Sequence, residues 1–160
     1  MKRCALRSVV VTVACLLVGS SVAFAQTDPR VGSWKLNLEK SKYDPGPAPK
    51  SDVRKYEATA DGTKATVEAT PASGSPGKVT YTAKLDGKDY PISGSPTFDT
   101  IAVTRIDSST VEVTLKKGGN MITTGRYVVS KDGKTMTGTV NGTDANGKPV
   151  HNVVVFDKQP

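Results

Sequence analysis

The strongest constraint on this chain is an alternation of period two that recurs along most of its length. Trp34, Leu36 and Leu38 alternate with Lys35, Asn37 and Glu39. Val79, Tyr81, Ala83 and Leu85 alternate with Thr80, Thr82 and Lys84, and Val111, Val113 and Leu115 with Glu112, Thr114 and Lys116. Successive strand side chains point to opposite faces, so each run makes a strand with one buried face. Abundant valine and threonine agree, because β-branched residues suit a pleated surface. Asp61-Gly62, Asp86-Gly87, Asp132-Gly133 and Asn146-Gly147 separate the runs and read as tight hairpin turns.

The pattern predicts ten strands, near residues 33–39, 53–60, 64–70, 79–85, 88–92, 100–106, 111–117, 121–130, 135–141 and 149–157. The fifth is the weakest, because Pro91 removes a ladder donor. Helical periodicity is absent after the first residues. Short strands joined by tight turns make an antiparallel up-and-down meander. Closing it into an all-β barrel of about 8–10 strands removes the exposed edges. A two-layer sandwich is the alternative architecture.

The first residues read as an export signal rather than as part of the fold. Lys2, Arg3 and Arg7 precede the apolar run Val9 to Val18, and Ala23-Phe24-Ala25 offers small residues where a signal peptidase cuts. Residues 1–25 are therefore expected to be cleaved, leaving one domain over 26–160 in the periplasm or outside the cell. The competing reading, a lipid anchor at Cys15, suffers from Thr12 where a lipobox usually has Leu. Cleavage removes Cys4 and Cys15, so the mature chain has no thiol for a disulfide, a nucleophile or a metal. It also removes three of 22 basic residues, which takes the net charge from +7 to +4 against 15 acidic ones. The remaining charges are scattered with both signs interleaved. That is a solvated surface and not the dense basic stripe of a nucleic-acid binder.

Catalytic chemistry has little to work with. His151 is the one histidine, so a His-rich zinc site is out of reach, and its place beside Asn152 reads as an outward polar position. Ser75-Pro76-Gly77-Lys78 has the serine/lysine spacing of penicillin-interacting enzymes, but falls in a Gly/Pro loop rather than at a helix start. Asp144-Ala145-Asn146-Gly147 resembles the opening of a calcium loop without its closing Glu, and a hairpin turn explains it. The expectation is a protein that is not an enzyme, with no cofactor, no metal and no transmembrane segment in the mature chain, acting as a monomer.

Binding offers more. Trp34, Tyr43, Tyr56, Tyr81, Tyr90, Phe98, Tyr127 and Phe156 are spread over the chain at roughly one per strand. In a closed barrel they share an interior, where they either plug the core or line a pocket. Tyr56, Tyr81 and Tyr127 are the candidate ligand contacts. Arg105 continues the face of Ile101 and Val103, so strict alternation turns it inward, where it can hold a ligand carboxylate. The other reading puts it at the strand end, reaching water. Asp44-Pro45-Gly46-Pro47-Ala48-Pro49 opens a Pro-rich crossing over 44–51 that is neither helix nor strand interior and suits a stiff, polyproline-like path. Residues 71–77 and 93–96 are Gly/Ser/Pro loops that either rim a barrel mouth or lie on the surface.

Gly32-Ser33-Trp34, opening the first strand, resembles the Gly-x-Trp motif of the lipocalin and calycin superfamily. The run Val31 to Asn37, then Lys40-Ser41-Lys42 and the prolines of 45–49, is similar to small exported bacterial lipocalin-like proteins. The likeness extends to Asn152 through Lys158. It implies a barrel sealed at one end by Trp34, with Gly32 letting the backbone pass closely, and a small apolar or amphiphilic ligand inside. The alternative is a cell-envelope interaction or structural module with a filled core. Two departures stand out. The late arginine that lipocalins lay across the tryptophan is missing, with Lys158 beyond the last strand in its stead. The terminal Arg-x-Tyr pair of fatty-acid-binding proteins is replaced by Val154 and Phe156, and their helical lid by the proline segment.

Overall fold

Each alternating run forms a strand. The structure is a computed structural model describing residues 27–144 and 147–160, so the expected export signal lies outside the described residues. The strands are β1 (Gly32–Leu36), β2 (Ser51–Thr59), β3 (Gly62–Thr70), β4 (Gly77–Ala83), β5 (Asp86–Ser93), β6 (Thr100–Arg105), β7 (Thr110–Lys117), β8 (Asn120–Val129), β9 (Thr135–Thr143) and β10 (Pro149–Lys158). Each pairs antiparallel with its chain neighbours, and β1 pairs with both β2 and β10. The sheet therefore closes into a ten-stranded up-and-down barrel rather than splitting into a sandwich. Closure satisfies the edge groups that an open meander leaves exposed.

The alternation decides what is inside. Trp34, Ile101, Val103, Val111, Met136 and Phe156 are among the fully buried side chains, while Lys35, Thr104 and Glu112, each one position away, are exposed. Two details differ from the simple pattern. β1 ends at Leu36: Asn37 still donates its N–H to the Val155 carbonyl (2.8 Å), but the chain then turns over residues 38–40 before pairing again with β10 at Lys42 and Val153. That turn leaves Leu38 44% exposed, so the inward face predicted to run through Leu38 stops at Leu36. The fifth strand is complete despite Pro91. Ile92 donates to Asp99 on the β6 side (2.9 Å), so the nitrogen of Pro91 faces β4. There the ladder has only two partner pairs, Thr80 with Ser93 and Tyr81 with Ile92, and a missing donor costs least.

Up-and-down connectivity sorts the connections between two ends. The hairpins β2–β3, β4–β5, β6–β7 and β8–β9 share one end with the segment entering β1. The Pro-rich crossing, the loops around residues 71–76, 94–99 and 118–119, and the facing ends of β9 and β10 share the other, which is the mouth.

Candidate functional site

The end opposite the mouth is sealed by the residues leading into β1. Arg30 is 1% exposed and grips Asp28 with Nε (3.1 Å) and Nη2 (2.8 Å). Its guanidinium lies 4.7 Å from the centre of the Tyr56 ring. Its carbonyl accepts the indole N–H of Trp34 at 2.7 Å. A buried charge needs a hydrogen-bonded partner, and this pair supplies both. Burial works against the Asp28 carboxylate, but the Arg30 contacts outweigh it and hold the carboxyl below its usual 3.8. Trp34 is wholly buried, and Lys158 Nζ stands 5.3 Å from its ring centre, a cation–π contact. Gly32 has φ +130°, and a Cβ there would come within 2.8 Å of Lys158 Cε.

Above this plug, β2 turns Asp52, Arg54 and Tyr56 inward at alternate positions. Arg54 donates from Nε to both Asp52 oxygens (3.0 and 3.1 Å) and from Nη2 to Oδ2 (2.7 Å). Its Nη1 donates to the Tyr127 hydroxyl at 3.1 Å, and its guanidinium lies 4.5 Å from the Phe156 ring centre. Desolvation disfavours the cation, yet Asp52 and the surrounding tyrosines hold its proton, with the pKa well above the ordinary arginine value. Tyr127 lies across two glycines: a Cβ on Gly138 would fall 2.5 Å from the ring, and one on Gly125 2.8 Å from it.

Two spaces of about 270 Å³ each flank this group. One runs between Tyr56, Val67, Val79, Tyr81, Ile92 and Ile101. The other lies towards the mouth, against Tyr43, Pro49, Val140, Asn152 and Val154. Asp52, Arg54, Phe98, Val113, Leu115 and Tyr127 border both. Phe98 comes from the mouth loop, where the Ser95 hydroxyl accepts its backbone N–H at 3.1 Å. Burial raises the Tyr81 phenol well above 10, with Tyr56 adding to the rise, so it is a neutral hydroxyl at any physiological pH.

Of the expected contacts, Tyr56, Tyr81 and Tyr127 converge on the first space. Arg105 does not, and its expected inward role is corrected: it stands at the sealed end, donating to the carbonyls of Thr27 (2.7 Å) and Asp107 (3.4 Å). β6 ends there, so continuing its inward face leads out of the barrel. The groove beside it, about 700 Å³ and bordered by Thr27, Lys84, Leu85 and Arg105, is larger than the interior spaces but open to solvent. The aromatics divide between the two expected roles: Trp34 and Phe156 plug, while Tyr81, Phe98 and Tyr127 line. His151 is exposed and shares a 2.6 Å hydrogen bond through Nδ1 with Asn141 Oδ1.

Asp28, Arg30, Asp52 and Arg54 were not among the sequence candidates. For β2 the signal was present: Tyr56 inward places Arg54 and Asp52 inward too. Val53 argued for the opposite face, and it is 39% exposed. No protein-family model, curated protein or solved structure matches this chain.

Proposed function

We propose that this chain is an exported lipocalin-like binding protein that takes a small apolar or amphiphilic molecule into its barrel. The observation that carries this reading is the interior space of about 270 Å³ walled by Val67, Val79, Ile92, Ile101 and Leu115 and bordered also by Arg54, Tyr56, Tyr81 and Tyr127. Ligand sites are mostly apolar concavities with a few placed polar groups, commonly about 300–1,000 Å³, so this one suits a small ligand. The protein is read as a carrier and not an enzyme, because the two carboxylates paired inside the barrel, Asp28 and Asp52, are each held by an arginine. The closed barrel leaves no sheet edge for pairing, which favours a monomer. Export rests on the segment Lys2 to Ala25.

A second reading, an envelope module with a filled core, draws on the way Arg54, Tyr127 and Phe98 divide the interior. Native mass spectrometry of the protein purified from its own envelope separates the two. A co-purifying small molecule, lost in a Tyr81→Ala variant that remains folded, supports binding. Only the bare polypeptide mass, with no ligand gained from an envelope extract, favours the filled module.

A further inference from the structure

Resting on the binding reading above, we infer that the barrel selects neutral molecules and rejects carboxylates, and that Asp52 is the residue that sets this preference. The interior contains two arginines, which at first sight suits an anion. Both are already neutralised by carboxylates of the chain itself. Arg30 is held by Asp28 beneath the first space, and Arg54 by Asp52 between the two spaces. Among the described residues, no other charged side chain borders either space.

The geometry of the second pair matters most. Carboxylate recognition by arginine uses two parallel N–H groups of the guanidinium fork. In Arg54 the Nε and Nη2 edge is taken by Asp52. A ligand carboxylate would have to approach the remaining edge, where Nη1 already donates to Tyr127. It would then lie close to the Asp52 carboxylate, a like charge in a poorly solvated place, and that disfavours the ionised form. A neutral oxygen meets no such penalty. The Asp52 and Tyr127 bonds occupy three of the five N–H groups of the guanidinium, so a hydroxyl, ether or carbonyl oxygen can still accept from it. Tyr81, which borders the same space and whose hydroxyl burial keeps neutral, offers a second polar group without charge. The ligand class is therefore a compact, uncharged molecule, ring-sized or short-chained, carrying one or two polar oxygens on an apolar body.

The test compares matched probes by isothermal titration calorimetry at pH 7: 1-octanol against octanoate, and benzyl alcohol against benzoate. The wild-type protein is expected to bind each alcohol about tenfold or more tighter than the carboxylate of the same skeleton. Asp52→Asn keeps the shape and removes the anion, so it should raise carboxylate affinity about tenfold or more while changing alcohol affinity by less than about threefold. Carboxylates that bind wild type as well as the alcohols, or an alcohol-to-carboxylate ratio that Asp52→Asn leaves unchanged, overturn the inference and leave the binding reading standing. Binding of no probe at all overturns both. Should circular dichroism show Asp52→Asn unfolded, Asp52→Asn/Arg54→Gln takes its place. That pair removes the anion that repels carboxylates, so its alcohol-to-carboxylate affinity ratio must be smaller than that of wild type, and a ratio as large as the wild-type one overturns the assignment.

Discussion

Asp52 and Arg54 stand two residues apart on β2, on the same face of the sheet, and close a two-pronged ion pair inside the barrel with a shortest contact of 2.7 Å. The spacing is what makes this possible. Positions i and i+2 share a face, and a long guanidinium can fold back over a short carboxylate.

The pair should behave as a unit. Asp52→Ala leaves a buried cation without its partner and should cost about 3–5 kcal/mol. Asp52→Ala/Arg54→Met removes both charges and should cost less than Asp52→Ala alone. Urea unfolding of wild type and the variants measures this. A double variant as unstable as the sum of its singles would show the two residues to be energetically independent.

At the sealed end, acid is the natural probe. The Asp28 carboxyl is held below its usual 3.8 in the folded chain, so the folded state binds this proton less readily than the unfolded one. The contribution is complete above the unfolded value and disappears as pH falls through the lowered folded value. Stability should therefore decline as pH drops below about 4, and Asp28→Asn should flatten that decline while lowering stability at pH 7 by about 3–5 kcal/mol. Urea midpoints measured from pH 7 to pH 2 check both parts. An Asp28→Asn variant with the wild-type acid limb would assign that limb to other carboxylates.

Tyr127 reaches Arg54 only because Gly138 and Gly125 let its ring lie flat against the strands. Gly138→Ala places a methyl 2.5 Å from the ring and 2.9 Å from Val154 Cγ2. The ring must swing away, breaking the Arg54 contact, and the overpacking should cost about 1–3 kcal/mol. Near-ultraviolet circular dichroism and urea unfolding report the two effects. An unchanged tyrosine signal would mean that the strand moves instead.

The seam between β4 and β5 has two partner pairs, whereas β3 and β4 share seven. Amide protection follows the local free energy of opening. The β4–β5 region from Lys84 to Lys88 should exchange faster than β3 or β9 by an order of magnitude or more. Hydrogen-exchange mass spectrometry resolves this, and equal protection around the whole ring would refute it.

How far the barrel could be read in advance varied from strand to strand for physical reasons. β4 and β7 were legible because an unbroken apolar alternation has one solution on a pleated sheet. β2 was legible as a strand but its inward charges were not, because it turns Asp52 and Arg54 inward and Val53 outward, against the rule that apolar residues mark the buried face. The same rule sent Leu38 inside, where a turn over residues 38–40 carries it out. Tyr56, Tyr81 and Tyr127 were identified as candidates by being aromatic at strand positions, and they meet in space. For Arg105 parity pointed inward and the strand-end reading pointed out; β6 ends at Arg105, so the strand-end reading holds, and parity does not say where a strand ends.

Residue order alone settled that this chain would be a set of short antiparallel strands with one apolar face each, since side-chain period and turn chemistry are local properties. Which charges would meet inside was settled only when the ring of strands closed. Closure brings Tyr127 of β8 and Phe156 of β10 against Arg54 of β2, side chains whose separation along the chain hides their contact. A buried ion pair depends on the partners and dielectric that the whole fold supplies.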